Sequence, residues 1–412
     1  MGTVNAKVPE PDQMMDQPEV VIAAHEVRTT LESLGCFKSI GTYIDTSTGP
    51  ESSPHGLEVT FYVDELKRIV GGVNTLIGNN EGSLVLGMSL PNVLGRGERV
   101  QCEYSYGTKN SVGFNLAATK PLTGWKHAGI NTAVYQQGND FPWSGFRQTD
   151  KGTLLDFWFE SAPKVRHTLR WEGIWRETSC LDRCTAFSVR EQTGHTLKSS
   201  IKHILSVDKR DSPILPTKGV LFKLQQEFAG LGGDTGFIKH EFEFQANVPL
   251  FNDFIWQGAL TGGFMHSPSS TRRYSICDKF FLGGPLTLRG FNHRGVGPRA
   301  ENCALGAKAF WSGAFHLYMP MPFRPGEGGF GDLFRTHFFI NAGNIGDFSF
   351  GEDYHDNLTM LLDGLRVAYG IGLVLRIGQV ARFELNYCFP LRVQKHDSIA
   401  HGLQFGVGVN FL

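Results

Sequence analysis

No stretch of this 412-residue chain approaches the roughly 18 consecutive apolar residues that a membrane helix needs. Its densest apolar run, Val367 to Leu375, is broken by Tyr369, Gly370 and Gly372. If the chain spans a bilayer, it does so as a closed β-barrel, the other architecture that satisfies its own backbone. A secretory signal is also missing: Met1 to Asp16 is polar, with Pro9, Pro11 and several acids. Gly2 does not open a myristoylation motif, because Ala6 stands where Ser or Thr is required.

Charge is scarce too. Charged residues make up 19% of the chain, below the roughly 25% of ordinary soluble domains. A net charge of −1 argues against a nucleic-acid binder, which carries a basic patch or stripe. The seven cysteines, Cys36, Cys102, Cys180, Cys184, Cys277, Cys303 and Cys388, are odd in number and form no Cys-x-x-Cys pair. Neither a disulfide framework nor a structural zinc site is indicated. The sequon at Asn357 reads as accidental.

Enzyme motifs are absent as well. There is no Gly-x-Ser-x-Gly elbow, His-Glu-x-x-His pair or Walker loop. Gly295-Val296-Gly297 lacks the third glycine of a dinucleotide site and reads as a turn. His240, His266, His293 and His316 show no metal-ligand spacing. The expectation is a non-enzyme with no metal and no cofactor.

What the chain does have is glycine (50 residues), phenylalanine (32) and a period of two. Val367, Tyr369, Ile371, Leu373, Leu375 and Ile377 alternate with Arg366, Ala368, Gly370, Gly372, Val374 and Arg376. Ala381, Phe383, Leu385, Tyr387 and Phe389 alternate with Val380, Arg382, Glu384, Asn386 and Cys388. Ile238, His240, Phe242, Phe244, Ala246 and Val248 face away from a set that includes Lys239, Glu241 and Glu243. One face is greasy, and the other carries charges that a sandwich core rejects. Repeated over about 340 residues in strands of roughly 10, this predicts a transmembrane barrel with a wet lumen.

About seventeen strand candidates lie between Ile69 and Leu412. Thr185–Arg190 is the weakest and reads as a loop excursion, which leaves sixteen, an even count as in bacterial barrels. Ahead of the barrel, residues 1–19 read as disordered. Val20 to Leu34 reads as an amphipathic helix stopped by Gly35. Strands at Phe37–Asp45 and Leu57–Asp64 complete a small α/β module over 20–65, followed by the barrel over 66–412.

Three segments stand out. The run from Phe280 to Phe291, with Gly283, Gly284, Leu288, Arg289, Gly290 and Phe291, places one arginine among apolar neighbours on a long connection. A buried cation needs a partner or water. The first barrel strand, Ile69–Ile77, contains Gly71, Gly72, Val73 and Asn74. The last, Gln404–Leu412, puts Gln404, Gly406, Gly408 and Asn410 on one face and Phe405, Val407, Val409 and Phe411 on the other. Glycines weaken strands and permit bending. Two weak end strands make a natural lateral seam, where an incoming strand can add by β-augmentation. The plainer reading is that the glycines only serve barrel curvature.

These residues resemble the outer-membrane barrel-assembly superfamily that includes bacterial BamA. Within it they resemble the central barrel family of the mitochondrial sorting and assembly machinery, of metazoan type. The resemblance runs from about Val20 to Leu412. It rests on Asn74 to Arg96, the Arg289 loop, Phe323 to Asn344 and the terminal Gln404–Leu412. It implies an all-β transmembrane barrel of about 16 antiparallel strands in the mitochondrial outer membrane. It also implies a POTRA module ahead of the barrel in the intermembrane space; here sequence matches only its last helix and two strands, so a truncated module is expected. The resemblance further implies insertion of β-barrel precursors such as the anion channel and the translocase channel, metaxin-type partners, and contact with an inner-membrane cristae-organising complex. The loop 266–302 is then expected to fold into the lumen from the cytosolic side. In bacterial relatives the strand after the loop carries an Asp that can pair with the arginine. Asn341 stands here, so Asn341 as a neutral partner and Glu384 as a charged one are the candidates. The rivals are a passive channel, a truncated non-inserting paralogue, and a barrel-type lipase with a Ser/His pair at the bilayer edge.

Overall fold

The computed structural model describes residues 2–4, 17–46, 57–78, 81–122, 127–251, 253–268, 274–321, 330–348, 356, 359, 362–378 and 380–412. The chain opens with β1 (Gly2–Val4), α1 (Gln17–Leu34), β2 (Phe37–Thr46) and β3 (Leu57–Glu65). The barrel wall begins with β4 (Val70–Gly78), β5 (Glu81–Pro91), β6 (Arg99–Gly107), β7 (Val112–Pro121), β8 (Ala128–Phe141) and β9 (Phe146–Ala162). It continues through β10 (Val165–Cys180), the helical turn α2 (Phe187–Arg190), β11 (Gly194–Asp208), β12 (Gly219–Gly233), β13 (Phe237–Pro249) and β14 (Ile255–His266). The short pair β15 (Arg299–Ala300) and β16 (Cys303–Ala304) lies in the following loop. The wall ends with β17 (Ala309–Pro320), β18 (Phe334–Gly346), β19 (Arg366–Ile377), β20 (Ala381–Arg392) and β21 (Gly402–Gly408).

Sixteen of these strands, β4 to β14 and β17 to β21, form one antiparallel sheet in chain order. Their alternating side chains sort by environment. Phe242, Phe244, Ile371, Leu385 and Tyr387 are exposed on the outside, whereas Gln245, Asn247, Arg382, Glu384 and Asn386 are buried inside. Apolar-out and polar-in is the inversion that a lipid-facing wall requires. No helix among the described residues is long and apolar enough to cross a membrane.

The two ends of the sheet, β4 and β21, come within 8 Å between Cα atoms, yet no ladder joins them among the described residues. Among the described residues each therefore has one hydrogen-bonded neighbour, β5 for β4 and β20 for β21. Gly71 to Thr75 are exposed on both faces of β4, so little packing holds that strand. Thr185–Arg190 is no strand. Its Phe187–Arg190 turn is helical and buries Ala186 and Val189 against Phe146, Ile276 and Cys303.

Ahead of the barrel, β1 pairs with β3 through Gly2↔Val63, Thr3↔Tyr62 and Val4↔Phe61, and β3 pairs with β2. This corrects the expected disorder of 1–19 in two places. Gly2–Val4 is an edge strand, and the helix begins at Gln17. The strand forms because β3 otherwise leaves that edge unpaired. Residues 5–16, the Asn357 sequon and positions 322–329 of the Phe323 block lie outside the described residues. The α1 face is only partly covered: Ala24 is buried, while Ala23 and Val27, expected inward, are exposed. Arg99 Nη2 donates to Gly35 O at 3.0 Å, tying the module to the barrel rim. All seven cysteines are free.

Candidate functional site

The part of the connection from 274 to 308 does not stay outside the barrel. Leu282, Leu288 and Phe291 pack against the inward residues Met265, Phe237, Ile345 and Ala368. At its tip Arg289 is 0% exposed. An unpaired guanidinium there is untenable, and the fold surrounds it with acceptors. Nε and Nη2 donate to Glu384 Oε2 at 3.1 and 2.8 Å. Nη1 donates to the main-chain oxygen of Leu412 at 2.5 Å. The rings of Phe339 and Phe411 lie 5.3 and 5.7 Å away, within cation–π range.

Glu384 comes from the inward face of β20 and is shared. Asn386 Nδ2 donates to Oε2 at 3.0 Å, and Arg382 Nη2 stands 3.2 Å from Oε1. Charge-assisted bonds of this kind are the strong ones. Asn341 does not touch the guanidinium. Its Nδ2 donates to the Arg289 main-chain oxygen at 3.1 Å, so it positions the peptide. A neighbouring ladder extends the cluster. His316 Nε2 meets Leu412 O at 3.0 Å, the two Nδ1 atoms of His316 and His337 are 3.1 Å apart, and His337 Nε2 meets Asn386 Oδ1 at 2.8 Å.

The last strand binds the same loop. Gln404 Oε1 accepts from Gly290 N at 3.0 Å, and its Nε2 donates to Phe291 O at 2.8 Å. Gly290 has φ +86°, and a Cβ there would meet Ala368 Cβ at 2.9 Å, so both conformation and space call for glycine. At Gly406 a Cβ would meet Pro285 Cβ at 2.9 Å, and at Gly408 it would meet Leu286 Cδ2 at 3.0 Å. The glycine face of β21 is therefore the bed on which the loop tip lies. At Gly72, by contrast, a Cβ meets nothing within 4 Å.

The expected register of the last strand needs correction. β21 stops at Gly408, and residues 409–412 leave the sheet. Alternation would place Phe411 outside with Phe405, but Phe411 is 6% exposed, and its ring lies 4.2 Å from the Arg382 guanidinium. Leu412 N donates to Leu286 O at 3.0 Å. The tail turns inward because the loop offers it hydrogen-bond partners that β4 does not. Val409 stays exposed. Ile69 precedes β4 rather than belonging to it, while Gly71, Gly72, Val73 and Asn74 lie on it. Gly283 and Gly284, at φ +111° and +119°, turn the chain towards the tip.

Arg382, His316 and His337 were not singled out from sequence for this cluster. Their polar character at inward-facing strand positions was the available signal. A Ser/His pair also exists on the outer face. Ser161 Oγ is 3.0 Å from His167 Nε2, and His167 Nδ1 is 3.2 Å from His203 Nε2. Phe159, His167 and His203 stack with centroids 5.0 and 5.5 Å apart, as in the aromatic girdle of a barrel wall. Among the described residues no cluster of His, Cys, Asp and Glu could hold a metal.

The Omp85 superfamily domain matches residues 92–411. The sorting and assembly machinery component 50 homolog of Mus musculus is 48% identical over 395 residues, 96% of this chain and 84% of that protein. The Homo sapiens homolog is 47% identical over the same shares. A SAM50-like protein of Drosophila melanogaster is 35% identical over 96% of this chain and 88% of its own length. Among solved structures, BamA from Haemophilus ducreyi lacking POTRA domains 1–3 superposes with a TM-score of 0.76 at 15% identity. That match covers 94% of this chain and 78% of the shortened BamA chain, and it speaks for the fold.

Proposed function

This chain belongs to the Omp85 superfamily and, within it, to the family of the component 50 homologs; from that membership we propose that it folds and inserts β-barrel precursors at the mitochondrial outer membrane. The mechanism is templating of strand pairing, with no catalysis. A precursor strand pairs with the free edge of β4 while β21 parts from it, and each backbone bond formed compensates one that lipid would leave unmade. The observation that carries this reading is that, among the described residues, no ladder joins β4 to β21. The anchoring of the lumen loop on the last two strands supports it.

In this arrangement the N-terminal module faces the intermembrane space. The loop follows the eleventh barrel strand, so it enters from the cytosolic rim. Precursors include anion-channel and translocase-channel barrels, and the partners are metaxin-type subunits and a cristae-organising complex. The passive-channel rival must accommodate a lumen crossed by a buried loop.

Cross-linking tests the templating. A photo-reactive group placed at positions 70–75 is expected to capture the last strand of an anion-channel precursor during import. No capture, with the barrel correctly inserted, leaves a channel or a non-inserting paralogue. The hydrolase rival is checked with a serine-directed phosphonate probe, for which no labelling of Ser161 above a Ser161→Ala control is expected.

A further inference from the structure

The lumen loop has a second ionic attachment, of opposite sign, at its other end. Asp278 closes the 3₁₀ turn Ile276–Asp278 and is buried. Its Oδ1 lies 3.1 Å from Arg176 Nη1 of β10 and 3.4 Å from Lys198 Nζ of β11. Its main-chain oxygen accepts from Lys239 Nζ of β13 at 3.1 Å. Ile276 N donates to Gln192 Oε1 at 2.8 Å, and the Ile276 side chain packs on Phe146, Ala186 and Val189. Burial opposes the charge on Asp278, but Lys198 and Arg176 hold its pKa down at about 2. With the folded value below the unfolded one, the attachment contributes stability above pH of roughly 4. It is lost as pH falls towards about 2, so the carboxylate is charged at neutral pH.

Position around the barrel gives this contact its meaning. Of the sixteen wall strands in order, β10 and β11 are the seventh and eighth, opposite the seam. β20 and β21, which hold Arg289, are the fifteenth and sixteenth. The loop thus crosses the lumen from the wall farthest from the seam to the strands that border it. The cations that hold Asp278 are themselves fixed, Arg176 by Asp150 at 3.2 Å and Lys198 by Glu227 at 2.7 Å. The β10–β11 ladder that carries them runs unbroken from Val165↔Val207 to Thr178↔Gly194.

We propose that the loop is a strap across the barrel and that Asp278, with Arg176 and Lys198, is a positioning site that fixes its far end. Outward movement of β20 and β21 then breaks the Arg289 end and leaves the Asp278 end in place. Without the Asp278 anchor the whole loop travels with the seam strands. The two anchors stand on their own contacts; only the loop's movement rests on the seam opening proposed above.

Hydrogen exchange on the full-length protein reconstituted in lipid tests it. Asp278→Asn is expected to speed amide exchange over 274–284 about tenfold, with less than about a twofold change over 286–292. Glu384→Gln is expected to give the converse pattern. Lys198→Gln, a milder change because Glu227 keeps Lys202 within 3.6 Å, is expected to move 274–284 in the same direction and serves if Asp278→Asn does not fold. Unchanged exchange in the folded variant, or an equal rise over both segments, overturns the strap. The precursor cross-link to β4 reads the seam separately. If it is missing while the exchange pattern holds, the seam reading fails and the strap stands.

Discussion

Replacing Arg289 by Ala is expected to weaken the barrel and to cut precursor insertion strongly. The change removes three hydrogen bonds, two to Glu384 and one to Leu412, from a site closed to solvent. Breaking a buried ion pair from one side costs about 3–5 kcal/mol, because the remaining charge stays desolvated. Arg382, 3.2 Å from the other Glu384 oxygen, keeps that carboxylate from being wholly unpaired, which places the expected cost at the lower end of the range. Glu384→Gln is the harsher partner test, since it leaves Arg289 and Arg382 facing each other without a carboxylate between them. Arg289→Lys keeps the charge but has no planar fork to reach Glu384 and Leu412 together, so an intermediate loss is expected. Barrel resistance to heat and protease reads the stability term, and import of an anion-channel precursor reads the function. An Arg289→Ala barrel that imports at the parental rate removes the loop from the mechanism.

Tethering the seam is the second large effect. Residues of β4 and β21 approach within 8 Å between Cα atoms, and a disulfide needs Cα atoms about 4.4–6.8 Å apart. Cysteines are placed in pairs, one at 70–75 and one at 403–407, in a background with the native free thiols replaced. Some pairs are expected to bridge on oxidation. A bridged barrel is expected to stop inserting precursors while keeping its own protease resistance, and reductant is expected to restore insertion. A bridged barrel that inserts at full rate is incompatible with templating at β4, because the edge offered to the precursor stays occupied. The same tether leaves conduction through the lumen unaffected, so it also separates insertion from the passive-channel reading.

The alternation of Val367 to Ile377 and of Val380 to Phe389 made the wall legible, because lipid on one side and a wet lumen on the other select residues with a strict period of two. The excursion at Thr185–Arg190 is less legible: turn signals at Cys180–Arg183 and Glu191–His195 box it in, and setting it aside to leave sixteen strands leans also on the family resemblance. The N-terminal module was read less well. The three residues Gly2–Val4 carry no periodic signal of their own and become a strand only because the β3 edge is present to pair with them. The tail departs from its sequence pattern for the opposite reason. Its alternation continues to Phe411, but hydrogen bonds to Leu286 and Arg289 outweigh continuation of a strand that has no second neighbour.

By itself, the sequence determined the period-two wall with its lipid and lumen faces, and the need of Arg289 for a counter-charge, since each follows from solvent preference acting on near neighbours in the chain. Only the tertiary structure decided what answers that charge. Glu384 is 95 residues from Arg289 and Leu412 is 123, while Asp278 finds Lys198 across 80 and Arg176 across 102. Closing the barrel brings these groups together, and contacts at such separations are set by the register of a whole sixteen-stranded sheet, which no local pattern encodes.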